Sequence, residues 1–357
     1  MTKNKIKNSY VNLFQRFRIW LSRRWALVLF ILIIILFEIV SIWREAGEPQ
    51  SHIIRTLGSS TQNVEKLWLS QNFYTNIIAN GSGTIYATPF SSDSLVAIDN
   101  KNGAILWQVE LPLERGGGAR ALLADQNTVF VITSTEIDAY KTTTGDLKWA
   151  TNLGYGRVSI FSQMDSGAVR VYYGDQIFEI DSETGKILAA GSKDGIIWVS
   201  GNIALRPVST NQLSAFDRQT ESKSWNKILS FYIDEVQTPQ RLSADYLMIG
   251  YKAAGTSSHV KGICSLNLQS GEYNWCRPEI YFSRMAIDQQ SQRGCAMRDD
   301  SVLVTIDLQT GNVLGETRFL TSDLPDQQPL FVSIACENGI VVVSFGDSRQ
   351  TFGLSLK

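Results

Sequence analysis

Few side chains in this sequence have the chemistry to catalyse or to bind a metal. The 357 residues include 2 His and 4 Cys. His52 and His259 stand far apart in the chain. A metal cluster or a His-based triad needs further partners at close quarters, so each reads as an incidental polar residue. The run Arg115-Gly116-Gly117-Gly118-Ala119-Arg120 has the glycines of a phosphate loop. It lacks the Lys-Ser/Thr that would follow and a helix to open, so it reads as a connector. Asp99, Asp181 and Asp307 are candidate general acids by residue type. Their recurrence at equivalent turns makes them structural. No residue is assigned a catalytic, cofactor-binding or metal-binding role, and no cofactor is expected.

The cysteines are Cys264, Cys276, Cys295 and Cys336. An even count in an oxidising compartment suggests disulfides. Cys264 and Cys276 flank a turn centred near residue 270, which places them opposite each other on paired strands. Cys295 and Cys336 fall in neighbouring repeats and form the second candidate pair. The alternative is four buried thiols.

The elements that position these residues are repeats. One pattern recurs from about residue 84 to the end, with clear copies at 95–111, 136–153, 176–192, 213–229, 263–278 and 302–319. Each copy has an apolar strand, a polar turn and a second strand. Asp99, Asp181, Asp217 and Asp307 open their turns, with Lys141 and Asn267 in the other two copies. Gly103, Gly145, Gly185, Gly271 and Gly311 close them, with Glu221 in the fourth copy. Trp107, Trp149, Trp225 and Trp275 follow four residues later, with Ala189 and Gly315 as the exceptions. Asp or Asn bonds the turn backbone, Gly supplies positive φ, and Trp buries a large area against the next unit. Further short apolar strands precede each hairpin, such as 84–88 and 129–133. Four strands in roughly 40 residues is the signature of a propeller blade.

The last blade is split. Residues 330–335, 340–345 and 350–356 supply three strands before the chain ends. The piece Glu65-Lys66-Leu67-Trp68-Leu69-Ser70 resembles the Trp-bearing outer strand of the other copies. Pairing it with 350–356 closes a ring and removes the exposed end blades.

The copy LVAIDNKNGAILWQVEL at 95–111 resembles the repeat of the pyrroloquinoline-quinone-type (PQQ-like) propeller family. That family includes the non-enzymatic outer-membrane assembly factor BamB. The resemblance implies the blade architecture over 64–357 and says little about function. The quinoprotein dehydrogenases of the family are longer, with a vicinal Cys-Cys disulfide and a Glu/Asn/Asp set for Ca²⁺. This sequence has no Cys-Cys pair, so the resemblance implies a non-enzymatic member. Repeats of the WD40 and kelch types fit less well, because the Gly-His with Trp-Asp pair and the double-Gly motif are missing.

Charge gives the remaining organisation. Lys+Arg total 33 against 34 Asp+Glu, a net charge of −1, which argues against nucleic acid as a partner. Residues 1–24 nevertheless hold Lys3, Lys5, Lys7, Arg16, Arg18, Arg23 and Arg24 and no acid. Interleaved apolar residues make this segment either a basic amphipathic helix on an anionic leaflet or a solvated tail. The apolar run Trp25 to Trp43 is about 28 Å long as a helix, close to the roughly 30 Å of bilayer hydrocarbon. Trp25 and Trp43 sit where interfacial rings belong, and the charge asymmetry puts the N-terminus in the cytoplasm. The run is longer than a signal-peptide core, so it reads as an uncleaved anchor. Glu38 lies inside it, near enough to Trp43 to reach the interface or be protonated; the alternative is a functional intramembrane acid.

The expected organisation is a cytoplasmic segment at 1–24, a transmembrane helix at 25–43, a linker at 44–63 and an all-β, seven-bladed β-propeller at 64–357. The expected function is a membrane-anchored extracytoplasmic scaffold for a protein partner, in the setting of envelope assembly. The competing readings are a sensor of a small ligand or cofactor and, further off, a quinoprotein oxidoreductase.

Overall fold

The computed structural model describes residues 52–56 and 64–356, apart from 91–92, 113–120, 155–157, 166, 174–175, 193–195, 197, 201, 210, 230, 234–239, 242–245, 254–260, 278–283, 289, 298–301, 322–330 and 347–348. The basic segment 1–24 and the run 25–43 with Trp25, Glu38 and Trp43 lie outside the described residues. So do the Arg115–Arg120 loop and His259. Among the described residues no helix is long and apolar enough to cross a membrane.

The chain divides into two units, Met1–Gln50 and Ser51–Lys357. The second is all β. Its described strands form seven antiparallel sheets. Sheets 1 to 5 span residues 74–110, 121–152, 158–192, 198–228 and 231–277 in turn. Sheet 6 spans 284–321 and sheet 7 spans 331–356. Most strands alternate little between buried and exposed positions, because most sheets have a neighbour on each face. Thr128–Ile132 is buried at all five positions and Ile340–Phe345 at all six. Among the described strands, outermost ones such as Ile105–Glu110 show an exposed side.

Apolar clusters join sheet 1 to 2, 2 to 3, 4 to 5, 5 to 6, 6 to 7 and 7 back to 1. Sheets 3 and 4 are joined differently, as described below. The succession makes a closed ring, a β-propeller.

Closure occurs within sheet 7. Val64–Ser70 pairs antiparallel with Gln350–Leu356, from Val64 opposite Leu356 to Ser70 opposite Thr351. The register slips between Lys66 and Trp68. Matching slips occur in the outer hairpins of sheets 1 to 6. The N-terminal strand therefore takes the place of an ordinary outer strand, bulge included.

One boundary differs from the sequence reading. Within the expected linker 44–63, His52–Thr56 forms a strand. It pairs antiparallel with Val313–Thr321, His52 opposite Thr321 and Thr56 opposite Thr317, as a fifth strand on sheet 6. The physical reason is an outer edge with unpaired backbone groups met by a segment whose Ile53, Ile54 and Thr56 suit a strand.

Trp68 carries much of the closure. It is 8% exposed, its Nε1 donates to the Asn100 carbonyl at 2.8 Å, and its ring belongs to the cluster joining sheets 7 and 1. Trp68→Ala is expected to lower unfolding free energy by about 3–5 kcal/mol. Denaturant unfolding measures this, and a loss under about 1 kcal/mol would show that closure does not depend on the ring.

Candidate functional site

The repeated turns form one belt. In sheet 1, Asp99 Oδ1 accepts from the backbone N–H of Lys101 and Asn102 at 2.8 and 3.1 Å. Asp181, Asp217 and Asp307 do the same, each adding a threonine hydroxyl: Thr184, Thr220 and Thr310. Asn267 accepts from Gln269 and Ser270. These bonds to Thr184 and Thr220 hold the Asp181 and Asp217 carboxyls below the usual range. All of these carboxylates are committed to turn backbone.

The Gly at each turn end has positive φ, +74° at Gly103 and +75° at Gly145. Over it lies the Trp of the preceding sheet. A Cβ on Gly103 would sit 2.7 Å from Trp68, and one on Gly145 2.7 Å from Trp107. Gly185, Gly271 and Gly311 face Trp149, Trp225 and Trp275 in the same way. Each indole N–H donates to a carbonyl in the turn that it covers: Trp107 to Thr142, Trp149 to Ser182, Trp225 to Leu268 and Trp275 to Leu308. Ring stacking and hydrogen bond thus tie sheet 7 to 1, 1 to 2, 2 to 3, 4 to 5 and 5 to 6.

The two copies without Trp fall at two particular boundaries. Gly315 in sheet 6 would face the outer hairpin of sheet 7. There the outer pair is Gln350–Leu356 with Val64–Ser70, two strands far apart in sequence that no hairpin turn joins, so there is no turn to cover. Ala189 in sheet 3 would face the turn of sheet 4, where Glu221 stands in place of Gly at φ 54°. Receiver and donor are missing together.

Among the described residues an ion pair crosses that boundary. Arg170 of sheet 3, 7% exposed, donates through Nε to Glu179 at 2.9 Å. Arg218 of sheet 4 donates to the same Glu179 oxygen at 2.8 Å. Burial would raise the Glu179 carboxyl, but the two guanidiniums hold it below its usual value. The outer strand of sheet 3, Ile187–Ser192, is exposed at all six positions. Against sheet 4 lies a cavity of about 680 Å³ lined by Arg206, Val208, Ser214, Phe216, Glu221 and Lys223.

Another buried acid lies at an inner turn of sheet 7. Glu337 Oε1 accepts from Gly83 N–H of sheet 1 at 2.7 Å. Burial raises its carboxyl, the Gly83 bond opposes this, and the Asp288 charge adds to the rise.

The register sets Cys264 opposite Cys276 within sheet 5. Their sulfurs are bonded, with Cα atoms 4.1 Å apart. Cys295 of sheet 6 and Cys336 of sheet 7 are bonded across the boundary, with Cα atoms 6.2 Å apart. Among the described residues no group of three or more His, Cys, Asp or Glu could hold a metal ion. Sequence reasoning missed Arg170, Glu179, Arg206, Phe216 and Arg218. The signal available was the coincidence of Ala189 with Glu221, one repeat apart.

The closed ring and Trp-covered turns define a β-propeller of the PQQ-like repeat class. Residues 91–315 match the family described as outer membrane protein assembly factor BamB, and the chain belongs to that family. No curated protein sequence matches the chain. Among solved structures, BamB from Moraxella catarrhalis is 16% identical, covering 86% of this chain and 99% of that one with a TM-score of 0.48. The computationally designed Ika8 protein is 13% identical over 81% and 98%, with a TM-score of 0.56. The Pan2 WD40 domain of Neurospora crassa is 10% identical over 84% and 97%, with a TM-score of 0.60. The last two are likenesses of fold alone.

Two expected outcomes test the belt and the seam. Gly145→Ala meets both a left-handed backbone and the Trp107 ring and should destabilise by about 2–5 kcal/mol, whereas Glu221→Gly relieves a left-handed residue and should stabilise by about 1 kcal/mol. Paired denaturation curves read both signs. For Glu179, the folded carboxyl is depressed below its ordinary 4.5. Its stabilisation is therefore present above that pH and lost as pH falls through the depressed folded value. Glu179→Gln should flatten this acid limb, and an unchanged stability profile between wild type and variant would refute the assignment.

Proposed function

We propose that the protein is a membrane-tethered, extracytoplasmic scaffold that binds protein partners during envelope assembly. The observation that carries the reading is family membership over 91–315, in a family described by an assembly factor. The seven sheets serve as blades of one closed, rigid platform, tied by indole-to-turn bonds and presenting loops at both rims. Such a platform needs no reacting group.

The sequence supports the address. Seven basic residues precede the apolar run 25–43, so positive-inside bias leaves the tail in the cytoplasm and the propeller outside. Disulfide pairing of all four described cysteines is in keeping with an oxidising compartment.

The test combines topology with capture. Protease added to spheroplasts should digest the propeller while cytoplasmic markers survive. Photo-crosslinking groups placed on rim loops of the full chain, in intact cells, should recover an envelope-assembly component in proportion to the protein. A protected propeller, or crosslinks no different from those of an unrelated periplasmic propeller, would overturn the proposal.

A further inference from the structure

The seam between sheets 3 and 4 has features that neither folding nor a scaffold role uses. In sheet 4, Leu205, Leu213 and Ala215 pack into the cluster shared with sheet 5. Strand alternation turns Arg206, Ser214 and Phe216 the other way, towards sheet 3. In sheet 3, Ala189 is paired with Glu179 and so shares its face towards sheet 4. An alanine at 189 and a glutamate at 221 leave this face without the indole that covers its counterparts. The cavity of about 680 Å³ lies on this side of sheet 4, within the usual range for ligand pockets of roughly 300–1,000 Å³.

Its chemistry is specific. The Arg206 guanidinium carbon stands 4.7 Å from the Phe216 ring centroid. Stacking on the ring fixes the guanidinium plane. Arg206 Nε is buried and has no hydrogen-bond partner among the described residues. A buried donor left unmade is costly, and a planar acceptor that takes two parallel N–H bonds suits it best. Lys223 adds a second cation, while Glu221 stands at the same wall. The neighbouring Glu179 is already held by Arg170 and Arg218. The seam thus holds four cations and two carboxylates in a chain of net charge −1. Val208, 54% exposed, and Phe216 supply apolar wall.

We propose that this cavity binds a ligand carrying a carboxylate beside an apolar group. The carboxylate pairs with Arg206 and the apolar part occupies the space that an indole fills at the other boundaries. A free arylalkyl acid and the C-terminal residue of a peptide both present this chemistry. The proposal goes beyond the scaffold reading and does not depend on it.

Calorimetric titration of the full-length protein in detergent tests it with 3-phenylpropionate, with its neutral isostere 3-phenylpropanamide, and with a tetrapeptide ending in phenylalanine. At least one carboxylate should bind, at least tenfold more tightly than the amide. Tighter binding of the tetrapeptide assigns the site to a chain terminus, and tighter binding of the small acid assigns it to a free ligand. Arg206→Gln should weaken the carboxylate at least tenfold and leave the melting curve unchanged. The double variant Ala189→Trp, Glu221→Gly restores an indole over a glycine turn, and should abolish binding while raising the melting temperature. Equal binding of acid and amide, undiminished binding by Arg206→Gln, or no binding by either carboxylate would overturn the proposal. None of these results bears on rim crosslinks, so failure here is distinguishable from failure of the scaffold reading.

Discussion

The ring depends on one contact made five times: an indole lying over a glycine turn of the next sheet, with its N–H on that turn's carbonyl. The contact joins two requirements that neither residue meets alone. The turn needs a left-handed residue, and the ring needs a surface with no Cβ in the way. Glycine answers both, which is why the spacing from Gly to Trp repeats so faithfully. The Asp or Asn at the turn's start fixes the backbone on which the indole's acceptor sits. Hydrogen bond and dispersion then act together at the ring's outer belt, where each indole also borders the apolar cluster between its two sheets.

That dependence explains how much could be read in advance. The hairpins, the outer position of Trp68 and the pairing of 64–70 with 350–356 all follow from a local pattern with short range. The strand at His52–Thr56 was not legible, because it has no Gly-Trp pair and gains its place from the free edge of Val313–Thr321. The seam between sheets 3 and 4 was hidden for a different reason. Ala189 and Glu221 are visible as departures, but they belong to different copies. Only the geometry, in which each Trp reaches forward to the next turn, shows them to be two halves of one missing contact. Arg206 and Phe216 occupy ordinary strand positions and carry no sequence signal.

The seam also shows how a repeat protein acquires individuality. A boundary without its indole still has a link, for Glu179, held by Arg170 within sheet 3, reaches sheet 4 through Arg218. That charged contact depends on pH, and a cavity lies against sheet 4. The other exception lies at Gly315. A disulfide from Cys295 to Cys336 and an aromatic group of Phe319, Phe345 and Phe352 hold that boundary instead.

The pairing of Val64–Ser70 with Gln350–Leu356 has a consequence in time. Val64–Ser70 is made before the strands of sheets 1 to 5 and receives its partner only when the last strand is finished. Until then that early strand lacks its native partner. Contacts of such long sequence separation form slowly, and unpaired edges invite wrong partners. A chain of this design is therefore most vulnerable in the interval before its end arrives, and a holding factor acting on residues 64–70 has its greatest effect then.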